Sequence, residues 1–275
     1  MHIGRFRLMG RVLVQVSKRF SSQQSVPSQS RPFQVGQKPP LAVLVTCMDG
    51  RLLPSRIFKA ECGELLIIRN PGNFVPHSCK CESSAESTAP AFPSGEMAGL
   101  QLAIQKMAIP DVIVCGHTDC RAGEALRNLP VSRPTGHAGS GSQHSLDLTN
   151  NWLHSYGSPA LEKYEQHMEK PGEEVEFEGG GRKGAKFSAI IDDENKLSKT
   201  DKLAQINVLQ QLEHLQSYDF ISKRTETDQI RLHATFYDTF TGNMFVFNKV
   251  QSRFNILPTN DITSLSHYIF QLRSS

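Results

Sequence analysis

The run Met97-Ala-Gly-Leu-Gln-Leu-Ala-Ile-Gln-Lys-Met-Ala-Ile-Pro-Asp-Val-Ile-Val-Cys115 holds two periods in succession. Its first part places Met97, Leu100, Ile104 and Met107 at helical spacing, with Ser94 as a cap and Pro110 as a stop. Its second part, Asp111-Val-Ile-Val-Cys115, is short, apolar and rich in β-branched residues, the pattern of a strand buried on both faces. Leu41-Ala-Val-Leu-Val-Thr46 and Leu65-Leu-Ile-Ile68 show the same pattern upstream. Strand, helix and strand in this order predict a βαβ unit.

Further along, Leu203, Ile206, Leu209, Leu212 and Leu215 stripe a helix, and Ile230–Tyr237 reads as a fourth strand. Asp238–Gly242 supplies turn residues, so Met244–Phe247 should return as an antiparallel fifth strand. Residues 131–187 are less regular, with short helices expected around Asn151–Tyr156 and Ala160–Met168. The expectation is a single α/β domain over residues 32–257. It has a mostly parallel four-stranded sheet, an antiparallel fifth strand and helices on both faces, and residues 258–275 follow as a C-terminal tail.

Composition narrows the class. Of 275 residues, 38% are apolar and 21% charged, which suits a packed core. No run approaches the ~18 apolar residues of a membrane span, and a net charge of +3 is too small to argue for nucleic-acid binding. That charge sits in residues 1–31, which carry Arg5, Arg7, Arg11, Lys18, Arg19 and Arg31, whereas the first acid is Asp49. An arginine-rich, acid-free leader with short apolar stretches reads as a mitochondrial transit peptide and predicts the matrix; a basic tail on a cytoplasmic protein is the alternative. Six cysteines in a chain of this length do not make a disulfide scaffold, and cysteine beside histidine suggests metal or thiolate chemistry.

Two segments carry that chemistry. Thr46-Cys47-Met48-Asp49-Gly50-Arg51 follows the first strand, and Cys115-Gly116-His117-Thr118-Asp119-Cys120 follows the third. Ligands of open α/β sheets gather beyond the carboxyl ends of strands, so Cys47 is expected to meet His117 and Cys120 there. Two thiolates and an imidazole suit Zn²⁺, and three protein ligands with an open position make the catalytic rather than the structural arrangement. The thiolates cancel the charge of the ion, so water is acidified less than among three neutral histidines. Asp49, held ionised by Arg51, would compensate by accepting or orienting a proton.

Cys-x-Asp-x-Arg followed by His-x-x-Cys resembles the signature of the β-class carbonic anhydrases. The likeness extends through Val45–Arg56, Arg69-Asn-Pro-Gly-Asn-Phe-Val-Pro76, Val112–Cys120, Asp201–Gln211 and Leu232-His-Ala-Thr-Phe-Tyr-Asp238, and is greatest to animal members. It implies Cys47, His117 and Cys120 as zinc ligands, Asp49 and Arg51 as a catalytic dyad, and reversible hydration of carbon dioxide to bicarbonate. It also implies homodimers or homotetramers with sites at the subunit interface. In some members the aspartate becomes a fourth ligand, a closed state open to Asp49 as well. Gly50 departs from the usual serine, which would loosen the dyad turn, and Pro71 from a small residue, which would stiffen its loop.

Rival readings are a carbonyl sulfide or carbon disulfide hydrolase on the same fold, and a non-catalytic zinc module closed by Asp49. His77-x-Cys79-x-Cys81 reads as a polar loop with chance thiols rather than a second metal site. His137 and His144 read as solvated, Cys115 as core and Cys62 as partnerless, and Gln37 lies out of register for a substrate contact.

Overall fold

In the computed structural model, which describes residues 40–78, 94–129, 147–179 and 186–275, the apolar runs become neighbouring strands. The leader, Gln37, Cys79, Cys81, His137 and His144 lie outside the described residues. In chain order the elements are β1 (Ala42–Cys47), α1 (Pro54–Ile57), β2 (Leu65–Asn70), α2 (Gly95–Gln101), β3 (Asp111–His117), α3 (Arg121–Arg127) and α4 (Leu148–Glu169). Then come β4 (Val175–Glu178), β5 (Lys186–Ala189), α5 (Lys199–Gln216), α6 (Asp219–Thr225), β6 (Arg231–Tyr237), β7 (Met244–Asn248), β8 (Arg253–Leu257) and α7 (Leu265–Ser274).

The main sheet has the order β2-β1-β3-β6-β7-β8. Its first four strands are parallel, with Thr46 level with Arg69 and Cys115, and His117 level with Tyr237. β7 and β8 run antiparallel. The parallel core and antiparallel β7 match the expectation, and β8 adds a sixth strand. Its Arg253-Phe-Asn-Ile-Leu sequence has one buried residue, so no apolar run announces it. A separate hairpin, β4 with β5, also lies in the region read as irregular.

Alternation along the strands builds two cores. Val43, Val45, Val112 and Val114 point to one face, under α2, α3, α4 and α5. Ala42, Leu44, Ile113 and Cys115 point to the other. That second face is covered by α7 through Leu265, Tyr268, Ile269 and Leu272, with Tyr268 against Phe58 at a ring separation of 4.9 Å. Residues 258–275 are therefore a layer of the fold and not a tail. Each of these side chains contributes about 2 kcal/mol by burial, and Ser264 caps the helix by accepting from the His267 N–H.

α2 begins as expected at Ser94, whose hydroxyl accepts from the Met97 N–H, and passes into a π-helical turn at Leu102–Lys106. The two short helices expected over residues 151–168 are instead one helix of 22 residues. Pro159 lies within it, where proline normally interrupts. The buried stripe of Leu153, Gly157, Ala160, Leu161 and Tyr164 continues through it. Gly157 packs so closely on Leu126 and Phe74 that a Cβ would clash.

Candidate metal centre

Parallel pairing sets the carboxyl ends of β1, β2, β3 and β6 side by side, and the chemistry-bearing residues leave from that edge. Cys47 is the last residue of β1 and His117 the last of β3. Cys120 follows a turn in which Asp119 takes φ +52, a left-handed conformation that aspartate tolerates better than most residues. Cys47, His117 and Cys120 are all buried, and their ligand atoms lie within 4.8 Å of one another. The two sulfurs are 3.9 Å apart. A tetrahedral zinc with Zn–S bonds of about 2.3 Å spaces its sulfurs by about 3.8 Å.

The imidazole settles what the cluster wants. His117 Nδ1 donates to the Thr118 carbonyl at 2.8 Å, which leaves the lone pair on Nε2. Nε2 is fully buried and has no hydrogen-bond partner among the described residues. A buried polar atom without a partner costs about 1–3 kcal/mol, and a cation among the three donors removes that cost. The thiols are prepared similarly. The Cys47 thiol is drawn down by its hydrogen bond with Cys120, against the opposing effect of burial, and the main-chain N–H groups of Gly72 and Asp49 assist. Cys120 is pushed up by its hydrogen bond with Cys47, by burial and by the charge on Cys47. The donor set fits Zn²⁺.

Asp49 is not in that cluster. Its carboxylate accepts from Arg51 Nε at 3.0 Å and Nη2 at 2.8 Å, a bidentate pair, and from the Arg51 main-chain N–H at 2.9 Å. These bonds hold the Asp49 carboxyl well below the usual carboxylate range. The dyad is thus formed in the structure, in the geometry that leaves Asp49 off the cluster.

Several supporting residues escaped the sequence reading. Arg69 donates to the Cys47 carbonyl at 3.0 Å and the Asp49 carbonyl at 2.7 Å, tying the dyad loop to β2. Its signal is position: it stands one residue before Asn70, the end of β2 that is level with Cys47 at the end of β1. Asp119 accepts from Arg51 Nη1 at 2.8 Å, and its carbonyl accepts from Nη2 at 2.8 Å. Thr118 bonds Asp238 and Thr239, joining the His117 turn to the turn after β6.

α5 holds the remaining wall with buried amides. Asn207 donates to the Gly72 carbonyl at 2.9 Å, Gln211 accepts from the Val75 N–H at 2.7 Å, and His214 Nδ1 lies 2.7 Å from the Val75 carbonyl. The loop they hold contains Gly72 at φ +88 and Asn73 at φ +51. Of the other candidates, Cys115 is core, its thiol pushed up to about 12 by burial. Cys62 is exposed and free among the described residues, and His77 packs edge-on against the His214 ring.

The family profile described as carbonic anhydrase matches residues 42–244. Beta carbonic anhydrase 1 of Caenorhabditis briggsae is 33% identical over 230 residues, covering 82% of this chain and 80% of its own. Its namesake in Caenorhabditis elegans is 30% identical over 233 residues, with the same coverage. Among solved structures, the β-carbonic anhydrase CcaA aligns over 90% of this chain and 99% of its own, with TM-score 0.59 and 23% identity. A Coccomyxa β-carbonic anhydrase in complex with acetazolamide aligns over 96% and 97%, with TM-score 0.53 and 18% identity. These two speak for the fold.

Proposed function

This chain belongs to the β-class carbonic anhydrase family, and on that premise we propose that it catalyses the reversible hydration of carbon dioxide to bicarbonate and a proton. One observation carries the reading: a buried, unpartnered histidine nitrogen shares a pocket with two thiols, beside an aspartate kept ionised by an arginine. Cys47, His117 and Cys120 would hold Zn²⁺, whose Lewis acidity makes water a nucleophile near neutral pH.

The protein's own groups do the rest. The Thr118 carbonyl fixes the His117 tautomer, so Nε2 is the atom that would ligate the ion. Asp49, ionised at any working pH, accepts a hydrogen bond from the reacting water and orients it. Arg51 occupies both carboxylate oxygens of Asp49 and keeps it from becoming a fourth ligand. That pairing favours a working site over a closed, non-catalytic module. Exposed Met48 and Leu53, which flank Asp49–Arg51 in the chain, and Phe240 in the turn after β6 support assembly into a homodimer or homotetramer over this edge. The basic leader supports import into the mitochondrial matrix.

Stopped-flow hydration of carbon dioxide by the zinc-loaded full chain tests the proposal. His117→Ala should lose zinc and activity together. Hydration retained by the zinc-free variant, or faster turnover of carbonyl sulfide or carbon disulfide than of carbon dioxide by the parent, would overturn it.

A further inference from the structure

Asp49 and Arg51 sit two residues apart in one loop, so their bonds fix them to each other but not to His117 at the end of β3 or Cys120 beyond it. Something else must register the pair against His117 and Cys120. A guanidinium has five N–H donors in a rigid fork. Arg51 spends Nε and one Nη2 hydrogen on Asp49. Nη1 goes to the Asp119 carboxylate and the second Nη2 hydrogen to the Asp119 carbonyl, both at 2.8 Å.

Asp119 lies between the ligands His117 and Cys120, and it is itself pinned. Its N–H donates to Asp201 Oδ1 at 2.8 Å, while Asp201 Oδ2 accepts from the Ser198 hydroxyl at 2.7 Å. Asp201 is buried in the first turn of α5. An unbroken chain of hydrogen bonds thus leads from the start of α5 through Asp119 and Arg51 to Asp49.

We infer that Asp119 is a positioning residue for the reaction: by gripping Arg51 through two bonds it registers the Asp49–Arg51 pair against the metal-ligand turn. The inference rests on the carbon dioxide reading of this site. Because the grip uses Nη hydrogens that Asp49 does not take, it persists when Asp49 lets go. Arg51 then stays in place to take Asp49 back.

Two variants separate position from folding. Asp119→Gly removes the carboxylate while tolerating φ +52, and Asp119→Asn keeps an oxygen that can accept from Nη1. In zinc-loaded full-chain protein, Asp119→Gly should lower kcat/KM about tenfold or more, as misplacement of a reacting group does, at unchanged zinc content. Asp119→Asn should recover most of it. Full kcat/KM in the glycine variant, loss of its zinc, or an asparagine variant no better than glycine would overturn the inference.

A second readout does not depend on turnover. Slow guanidinium rotation gives resolved Nη resonances in nitrogen-15 NMR. They should persist in Asp49→Ala and average in Asp49→Ala/Asp119→Gly; averaging already in the single variant would overturn the grip. A parent inactive towards carbon dioxide sinks the reading of the site, and these resonances still decide whether Asp119 holds Arg51.

Discussion

The two ends of β3 treat buried charge in opposite ways. At its start Asp111 has no exposed surface, and its carboxylate accepts from Arg273 Nε and Nη2 (3.2 and 2.5 Å), Arg231 Nε (3.2 Å) and His233 Nε2 (2.9 Å). At its end His117 is equally buried, yet Nε2 has no partner among the described residues and lies beside two thiols. A buried charge or polar atom must be matched or it costs several kcal/mol. At the amino edge the chain supplies every partner itself, from β6 and α7. At the carboxyl edge it stops one partner short, and that missing partner is the place for an ion. The first arrangement holds the fold together, and the second leaves a valence open for chemistry.

Removing the partner from the closed end tests that division most severely. Asp111→Asn leaves Arg231 and Arg273 without their carboxylate, and breaking a buried pair in this way costs roughly 3–5 kcal/mol; since both arginines are partly solvated, about 3 is expected here. Urea denaturation should show this loss. Carbon dioxide hydration by the remaining folded protein should stay within about twofold of the parent, since no bond of Asp111 reaches the metal edge. Activity lost without stability would show that the two ends are coupled.

Acid sharpens the same contrast. Burial alone would push the Asp111 carboxyl up, but His233 and Arg273 outweigh it and hold the group well below its ordinary 3.8. A depressed folded pKa means that the unfolded chain binds the proton first. Its contribution is therefore complete above about pH 5, shrinks as pH falls through the unfolded value, and is gone below the folded one. Melting temperatures followed from about pH 6 downward should show the gap between parent and Asp111→Asn narrowing as acid is added. A constant gap would mean that the carboxylate charge is not what stabilises this edge.

How much of this was legible depended on whether local pattern and tertiary role coincided. For β1, β3 and β6 they do: a strand buried on both faces is mostly apolar, and its C-terminal residue borders the ligand edge, so Cys47 and His117 could be placed from sequence. α7 was equally readable from Leu265, Tyr268, Ile269 and Leu272 at helical spacing, yet its position at the chain end made it pass for a tail. α4 was misread because Pro159 is a local stop signal that a long buried stripe overrides. The β4–β5 hairpin shows weak alternation, with Val175 and Phe177 its inward pair on β4. At the site, residues able to hold a metal or a proton declare themselves by type. Asp119 and Arg69 do not, because an exposed acid or base takes its meaning from what lies across the fold.

The smallest effect concerns Gly50, between Asp49 and Arg51. A serine there would give the turn a side chain, and glycine should loosen it if its freedom is used. The structure gives no sign of such use. Gly50 does not adopt positive φ, and a Cβ built on it meets nothing within 4 Å. The turn is closed by other bonds, from the Arg51 N–H to Asp49 Oδ1 at 2.9 Å and from the Leu52 N–H to the Asp49 carbonyl at 3.1 Å. Gly50→Ser should therefore act mainly on the unfolded chain, reducing its conformational freedom and raising stability by about 0.5 kcal/mol. The denaturation midpoint should rise with an unchanged slope, and kcat/KM should move by less than about twofold. A tenfold fall in kcat/KM at unchanged stability would mean that the open edge relies on backbone freedom as well as on an unfilled valence.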